Sequence, residues 1–363
     1  MNKDAITEKQ GVALIVLYSI GISSVLVTAI GAQNDLWISI ILSTLIMIPM
    51  GLVYGKLSTI IPNKDIFDVI YLCWGKYIGR IIAIAYIWFL VNICMFALRD
   101  LGEFFRLTVG PETPMIFPML VGMLVTIFGI KKGIKVLGRI ASFFLIPVSI
   151  FIILDNLFLL PEIKLNNLQP ILYNGWMPVF KGIFNTISYP LGELVAFTGI
   201  FYTLSEKEAK RAYVKGIVLS GIILLVSSAI TLLVIGNTVA RVYYFPAYVA
   251  TSRITIGRFF QSVEVLLAFM LTLGGYSNFA VLFLCSAKGI SSIFGIDDYR
   301  PITFPLGIFI LNYSLFIADN TSEFYTFTRN VWPYYAIPFQ IVLPIATLVI
   351  AKIKIKKNQV QKI

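Results

Sequence analysis

The stretch ISYPLGE at residues 187–193 and the stretch YSIGISS at residues 18–24 decide the fold of this chain. Each stretch lies inside a long apolar run of the kind that crosses a membrane as a helix. Pro190 removes a backbone donor and Gly192 relaxes the backbone, while Glu193 places a carboxylate at the depth of the membrane centre. Such interruptions are tolerated in a membrane only where protein or a water-lined cavity takes up the freed polar groups. The two stretches therefore predict two broken transmembrane helices.

The composition around these stretches is that of an integral membrane protein. Of the 363 residues, 58% are hydrophobic and only 13% are charged. A soluble chain of this length cannot bury so much apolar surface in one core, whereas a bilayer is itself apolar. Runs with at most one charge approach the ~20 residues that cross a bilayer. They predict an all-α membrane protein with ten transmembrane helices, with nine or eleven as alternatives because three runs are short. These runs are residues 11–31, 36–55, 81–98, 115–130, 140–154, 182–204, 216–240, 265–287, 302–318 and 331–351.

The basic residues predict the orientation of the chain. With the N-terminus inside, most of the 29 Lys and Arg residues fall in the inside segments, as the positive-inside rule requires. An even number of spans returns the basic C-terminal tail to the same side, so both termini are predicted to be cytoplasmic. The net charge of +11 is explained by topology and by contact with the lipid bilayer, and no nucleic-acid partner is expected.

Residue types that the sequence lacks exclude several kinds of chemistry. There is no histidine, and Cys73, Cys94 and Cys285 form no CxxC pair. Histidine-ligated zinc, Ser-His-Asp triads and HExxH metalloprotease sites are thereby excluded. The sequence also predicts no pair of carboxylates within the membrane. We therefore expect no catalytic residue, no metal site and no cofactor, and a membrane-embedded enzyme is disfavoured.

The two broken runs are the first members of two sets of five runs. Interrupted helices at matching positions of two halves indicate an inverted-repeat transporter fold with its binding site near the membrane midplane. We therefore predict one transmembrane domain over residues 1–363. Its first repeat covers about residues 11–160 and its second repeat about residues 178–352.

The candidate substrate-binding residues lie at the two breaks and on the eighth run. Those at the breaks are Gly21, Ser23, Ser24, Pro190, Gly192 and Glu193. Thr272 and Tyr276 on the eighth run are four residues apart and share one helix face, which is predicted to line the cavity. Each pattern has a structural alternative, because Gly21 could serve close helix packing and the polar face of the eighth run could join helices.

Glu193 is the most informative side chain, and three roles remain open for it. It could bind a substrate ammonium, carry a coupling proton or hold a structural hydrogen bond across the break. Helix N-termini at a break suit a carboxylate, and unwound carbonyls suit an ammonium, so a small zwitterion such as an α-amino acid satisfies both. Because no Lys or Arg lies deep in any run, sugar phosphates and nucleotides are disfavoured.

The connections between the runs are too short for a soluble domain. The longest, residues 237–264, contains an amphipathic stretch at residues 252–261. This stretch predicts either an external cap or interfacial helix over the bundle or an ordinary amphipathic loop.

In these features the chain resembles the endospore germination permeases, the B subunits of bacterial spore germinant receptors. That family belongs to the amino acid–polyamine–organocation superfamily, and the resemblance covers essentially the whole chain. It rests on YSIGISS at 18–24, WIS at 37–39, LRDLGEFF at 98–105, PETP at 111–114, YPLGE at 189–193 and YRPITFPLG at 299–307.

The resemblance implies a ten-helix, leucine-transporter-like fold with helices 1 and 6 broken, seated in the inner membrane of a dormant spore. It implies a bound germinant, often an amino acid, and partnership with a larger A subunit and a lipoprotein C subunit. Residue by residue, Gly21 matches the family's first break, and Pro190, Gly192 and Glu193 match its second. Thr272 and Tyr276 are placed only by the equivalent face of the eighth helix.

Two functions follow from these observations. The first is a membrane receptor subunit, resembling a permease, that binds a germinant at the midplane and triggers spore germination. The second is a secondary amino acid transporter coupled to protons through Glu193. The two share a fold and a site, so the sequence barely separates them.

Overall fold

A computed structural model describes residues 5–110, 112–254 and 264–360, and these residues contain helices and no strands. The α-helices in chain order are α1 (Glu8–Ile20), α2 (Leu36–Thr59), α3 (Ile66–Trp74), α4 (Lys76–Phe104), α5 (Ile116–Lys131), α6 (Ile134–Leu159), α7 (Met177–Thr186), α8 (Glu206–Val242), α9 (Pro246–Thr251), α10 (Glu264–Phe294), α11 (Thr303–Phe316), α12 (Thr321–Asn330), α13 (Trp332–Ile337) and α14 (Leu343–Val360). The prediction of an all-α chain is confirmed for the described residues.

Local sequence signals set several of these helix boundaries. Thr7 starts α1 with a capping box, in which its hydroxyl accepts from the backbone of Gln10 while the Gln10 side chain accepts from the backbone of Thr7. Ser205 and Glu208 make the same reciprocal pair at the start of α8. Gly133 has a φ of 88° in the tight turn between α5 and α6, a conformation that favours glycine.

The helices occupy all ten predicted runs, but they do not all qualify as spans. By length and apolarity, six described segments could cross a membrane, and the pair α11 and α12 would raise the number to seven. The helix α5 is apolar but has only 16 residues, and two further runs are broken. The count of ten transmembrane helices therefore stays a prediction.

Both predicted breaks are present. The first helix, α1, ends at Ile20 and is followed by a short 3₁₀ turn over Ile22–Ser24. In the other broken run, α7 gives way to a wide π turn over Ile187–Leu191 and then to a 3₁₀ segment over Gly192–Gly199. Tyr189 at this second break is fully extended, with φ of −151° and ψ of 124°.

Gly21 lies where α1 meets α10, and the two backbones touch there. A Cβ atom on Gly21 would lie 2.3 Å from the carbonyl carbon of Gly274 and 2.6 Å from the backbone nitrogen of Gly275. No side chain fits into such a contact. The structure therefore gives Gly21 the close-packing role that the sequence analysis kept as its alternative.

The ninth run is longer and more sharply bent than the sequence indicated. The described chain turns by 102° between α11 and α12. Asn320 caps α12 by accepting a hydrogen bond from the backbone of Glu323 at 2.9 Å. Residues 321–330 were expected to form a connection, and this helix brings its side chains over the centre of the bundle. Most of the amphipathic stretch 252–261 lies outside the described residues, since 255–263 are not described.

The Gly21 contact generates a direct prediction. Gly21→Ala should lower the free energy of unfolding by about 1–3 kcal/mol, because the added methyl group forces α1 away from α10. The measurement is thermal unfolding of the purified full chain in detergent. Gly275→Ala is the matched control, since its added Cβ would meet nothing closer than Ile22 at 3.7 Å. Equal stability of the two variants would contradict the packing role.

Candidate functional site

A cavity of about 110 Å³ lies between the two breaks, and we term it the central cavity. Its apolar wall includes Ile22, Ile93, Phe96, Ala97 and Trp332, and its polar wall includes Asp100, Asn185, Ser188, Tyr189, Glu193, Tyr244, Asn278, Tyr325, Thr328 and Arg329. The segment after the first break, residues 26–30, completes the lining. The cavity therefore combines a small apolar pocket with charges of both signs.

Glu193 lines this cavity and is only 1% exposed. The hydroxyl of Tyr18 donates a hydrogen bond to its Oε2 atom at 3.0 Å, so one side chain from each broken run meets the other. A buried carboxylate needs such a partner, because its desolvation is costly. This is the structural hydrogen bond that the sequence analysis listed among three roles, while binding of an ammonium and carriage of a proton stay predictions.

Asp100 adds a second carboxylate to the same cavity. It is buried on α4, accepts a hydrogen bond from the Tyr244 hydroxyl at 2.6 Å and interacts electrostatically with Glu193. The expectation of no paired carboxylates within the membrane is therefore wrong. The physical reason is that α4 continues past the end of the uncharged run at residue 98, so the charges that follow stay in the helix bundle.

Arg329 supplies the positive charge at the cavity. Its guanidinium lies over the ring of Tyr325 at 3.6 Å from the centroid, and it forms no salt bridge among the described residues. The expectation that no Lys or Arg lies deep in any of the uncharged runs stays a prediction, since Arg329 lies just before the run 331–351. Arg99 on α4 is buried, and the helix α12 carries Arg329 to the cavity wall.

The central cavity adjoins a larger polar cleft of about 880 Å³. The two spaces share Ile30, Asn185, Tyr325 and Arg329, so these side chains form the wall between them. The polar cleft is also lined by Gly31, Gln33, Asn174, Met177, Pro178, Phe180, Lys181, Phe184, Arg241, Thr326, Asn330 and Tyr334. Its described lining thus carries three cationic side chains and no carboxylate.

A buried ionic network holds α12 in place. Glu103 on α4 is fully buried and accepts hydrogen bonds from Arg99 at 2.9 Å, from Arg106 at 2.6 Å and from the Thr321 hydroxyl at 2.9 Å. Arg99 also donates to the carbonyl of Ser314 at 3.1 Å, near the end of α11. That carbonyl has lost its helical partner at the bend, so Arg99 supplies the missing donor.

A freed backbone carbonyl at the second break accepts a hydrogen bond from a side chain in the run that contains α13 and α14. The side-chain amide of Gln340 donates to the carbonyl of Ser188 at 2.8 Å, and the Tyr54 hydroxyl donates to the carbonyl of Gln340 at 2.6 Å. A Cβ atom on Gly192 would lie 2.5 Å from Oε1 of Gln340. Glycine is therefore required there so that the amide can reach the opened backbone.

Of the eight predicted site residues, Glu193 alone lines the central cavity. Gly21, Pro190 and Gly192 shape the breaks behind its wall. Ser24 donates a hydrogen bond to the carbonyl of Gly21 at 2.9 Å, and Ser23 is buried close to Tyr189. These five residues support the site without forming its surface, and a direct binding role for them stays untested.

Thr272 and Tyr276 do not line the central cavity, and a binding role for them stays a prediction. Both line a separate apolar space between α4, α5, α6 and α10, which we term the side cleft. The face of α10 that reaches the central cavity carries Asn278 instead. Tyr276 and Asn278 are two residues apart, and residues at that spacing lie on different faces of a helix.

The residues that sequence reasoning missed are Asp100, Arg329, Tyr244, Tyr189 and Asn278. The signal for Asp100 was present in the stretch LRDLGEFF, where charged residues at 99 and 103 have the spacing of one helix turn and indicate that the helix continues. No local signal marked Arg329, because its position depends on the bend before α12.

The Glu103 network generates a second prediction. Glu103→Gln should lower the free energy of unfolding by about 3 kcal/mol or more, since it leaves buried Arg99 without its counter-charge. Thermal unfolding of the full chain in detergent measures the effect. Glu162→Gln is the control, because Glu162 is exposed and its removal should change nothing. A Glu103→Gln variant as stable as this control would show that the network does not hold α12.

Comparison with solved structures defines the class of the fold. Mhp1, a nucleobase-cation-symport-1 family transporter, superposes with a TM-score of 0.63 at 14% identity, covering 90% of this chain and 77% of that one. MhsT in complex with L-phenylalanine gives a TM-score of 0.59 at 12% identity, covering 96% and 99%. The protein is therefore a multi-pass integral membrane protein with the fold of Mhp1 and the leucine transporters.

Comparison of sequences then gives the family. The family model for "Spore germination protein" matches residues 5–322. Spore germination protein KB of Bacillus subtilis (strain 168) is 27% identical over 371 residues, which cover 100% of this chain and 98% of that protein. Spore germination protein XB of Bacillus anthracis is 24% identical, covering 69% and 70%. The chain belongs to the spore germination protein family, a family of transporter-like germination proteins and not of enzymes.

Proposed function

We propose that this protein is the permease-like B subunit of a spore germinant receptor and that it binds a small α-amino acid in the central cavity. The observation that carries the proposal is that two carboxylates, Glu193 and Asp100, and one cation, Arg329, line the same small cavity. An α-amino acid carries one charge of each sign, on two groups bonded to the same carbon atom. It is the simplest ligand whose charges compensate both the carboxylates and the guanidinium.

The ammonium group of the ligand would lie against the carboxylates. Glu193 and Asp100 each accept one tyrosine hydroxyl, which leaves further acceptor capacity on each carboxylate. The Oδ1 atom of Asn278 is buried without a hydrogen-bond partner in the described chain and lies on the same wall. A buried acceptor without a donor calls for a water molecule or a ligand, and an ammonium brings three donors.

The carboxylate group of the ligand would lie against Arg329. A guanidinium pairs with a carboxylate through two parallel hydrogen bonds, and Arg329 has no competing carboxylate in the described chain. Lys181 and Arg241 line the polar cleft on the other side of the same wall. Their charges favour the approach of a ligand that carries a carboxylate.

The size of the cavity limits the ligand. A volume of about 110 Å³ has room for roughly seven to eleven groups of the size of a water molecule. This range suits amino acids from valine to leucine and is too small for a nucleoside. The apolar wall, with Ile22, Ile93 and Phe96, suits an aliphatic side chain.

Binding would act as a trigger by favouring one conformation of the bundle. A ligand shifts a conformational equilibrium only by its differential affinity for the two states. Arg329 and Tyr325 lie on α12, so a ligand held by Arg329 stabilises one position of that helix. We propose that A-type and C-type receptor subunits detect this change, in the inner membrane of the spore, with ten spans and both termini cytoplasmic.

A second function is a proton-coupled amino acid transporter, in which Glu193 carries the proton. The transporter fold and the burial of Glu193 favour this alternative. The purified chain in proteoliposomes separates the two functions. A receptor subunit should bind the amino acid with no concentrative uptake under a proton gradient, whereas sustained uptake by this chain alone would support the transporter.

The ligand contacts generate a third prediction, which requires a screen of amino acids by thermal stabilisation of the full chain. Arg329→Gln should weaken binding of the best amino acid about 10–100-fold, because a hydrogen bond to a charged group contributes about 1.5–3 kcal/mol. The same variant should bind the corresponding amino acid amide as the wild type does. Glu193→Gln should weaken binding of both the amino acid and its amide, since both carry the ammonium group.

Lys207→Gln is the control for loss of a positive charge, because Lys207 is exposed at the start of α8, away from the cavity. If the role of Arg329 were purely structural, Arg329→Gln would weaken binding of the amino acid and of its amide equally. That result, or wild-type affinity of Glu193→Gln, would overturn the assignment of the two ends of the ligand. Failure of every amino acid to stabilise the wild-type chain would overturn the ligand class.

A further inference from the structure

The side cleft is an apolar cavity that the proposed function does not use. It has a volume of about 660 Å³. Its lining comes from α4, α5, α6 and α10, with Ile22 at its inner end. These residues are Ile22, Ala97, Leu98, Leu101, Phe105, Thr113, Phe117, Pro118, Val121, Gly122, Val125, Thr126, Ile140, Phe144, Leu271, Thr272, Leu273, Gly275, Tyr276 and Phe279.

The two threonines in the helices of this wall require no partner from an occupant. Thr272 donates its hydroxyl to the carbonyl of Ala268 at 2.7 Å, and Thr126 donates to the carbonyl of Gly122 at 2.8 Å. Among the described residues, no charged side chain lines the cleft. Its remaining surface is aliphatic and aromatic, so the matching occupant is a hydrocarbon.

The outer side of the cleft has the composition of a surface that contacts the hydrocarbon of a bilayer. Three of its four walls, α4, α6 and α10, belong to segments long and apolar enough to cross a membrane. On the fourth wall, Phe117, Val121 and Val125 are 57%, 60% and 52% exposed. Exposed apolar side chains of this kind lie against lipid when they are at membrane depth.

The inner part of the cleft is too narrow for a helix of a partner protein. It reaches Leu98 and Leu271, which are 1% and 0% exposed and lie where α4 packs against α10. A helix with its side chains is about 10 Å wide and would have to separate these two helices. An acyl chain is a single file of methylene groups and needs no such separation.

We infer that the side cleft is a binding site for one acyl chain of a membrane phospholipid. Ile22 and Ala97 line both this cleft and the central cavity, so one layer of side chains separates the acyl chain from the site between the breaks. The acyl chain supports that layer from behind. The inference does not depend on which ligand the central cavity holds.

The test uses the full chain in nanodiscs that contain a phosphatidylglycerol with a diazirine in the middle of one acyl chain. After illumination, mass spectrometry of peptides locates the labelled residues. We expect labelling around Val121, Val125 and Thr272 to exceed labelling around Val349 and Ile353, which are 50% and 62% exposed on α14. Labelling that follows exposure alone, without enrichment in the cleft, would overturn the inference.

Blocking variants sharpen this experiment. Val121→Trp should fill the mouth and lower labelling of the cleft severalfold, whereas the control Val349→Trp should leave it unchanged. Gly275→Val should have the same effect from inside, because an added Cβ there meets nothing closer than 3.7 Å. Gly275→Val therefore replaces Val121→Trp in this experiment if Val121→Trp does not fold. Undiminished labelling of the cleft in a folded blocking variant would show that the acyl chain binds elsewhere.

Discussion

A carboxylate buried in an apolar bundle must have a partner, and this requirement organises the centre of the protein. The hydrogen bond from Tyr18 to Glu193 meets it and at the same time joins the two broken runs, which are far apart in sequence. The backbone contact between Gly21 and Gly274 brings the first break close to α10, so that Asn278 reaches the Tyr18 carbonyl. The central cavity is the space left among these contacts. Its charges are therefore held by the same bonds that hold the fold.

Each break in a helix leaves backbone carbonyls without a hydrogen-bond donor, and side chains far away in the sequence supply the missing donors. Gln340 donates to the carbonyl of Ser188 at the second break, and Arg99 donates to the carbonyl of Ser314 at the bend after α11. Both donors are long polar side chains on neighbouring helices. In water such carbonyls would be solvated, but in a bilayer they must be satisfied by protein. The irregular backbone that forms the site therefore requires these donors.

The features that could be predicted from the sequence are those that neighbouring residues determine. Proline, glycine and a carboxylate within four residues mark the second break, and this pattern alone predicts Glu193 as the central side chain of the site. Residues such as Asp100 and Arg329 were missed because their positions depend on how far α4 continues and on the bend before α12. Periodicity predicts that Thr272 and Tyr276 share one helix face but not the direction of that face, which borders the side cleft. Direction is fixed by contacts such as that of Gly21 with Gly274, which no single helix encodes.

The helix α4 connects the site to the element that covers it. Asp100 faces the central cavity, and three residues later Glu103 anchors α12 through Thr321. Residues at this spacing lie on neighbouring faces of one rigid helix. In the proposed function, a charged ligand would therefore act on α12 directly at Arg329 and indirectly through α4, which holds the first turn of α12. On that proposal, a ligand that compensates both Asp100 and Arg329 would stabilise one arrangement of α4 and α12, whereas a ligand with a single charge would compensate only one of them.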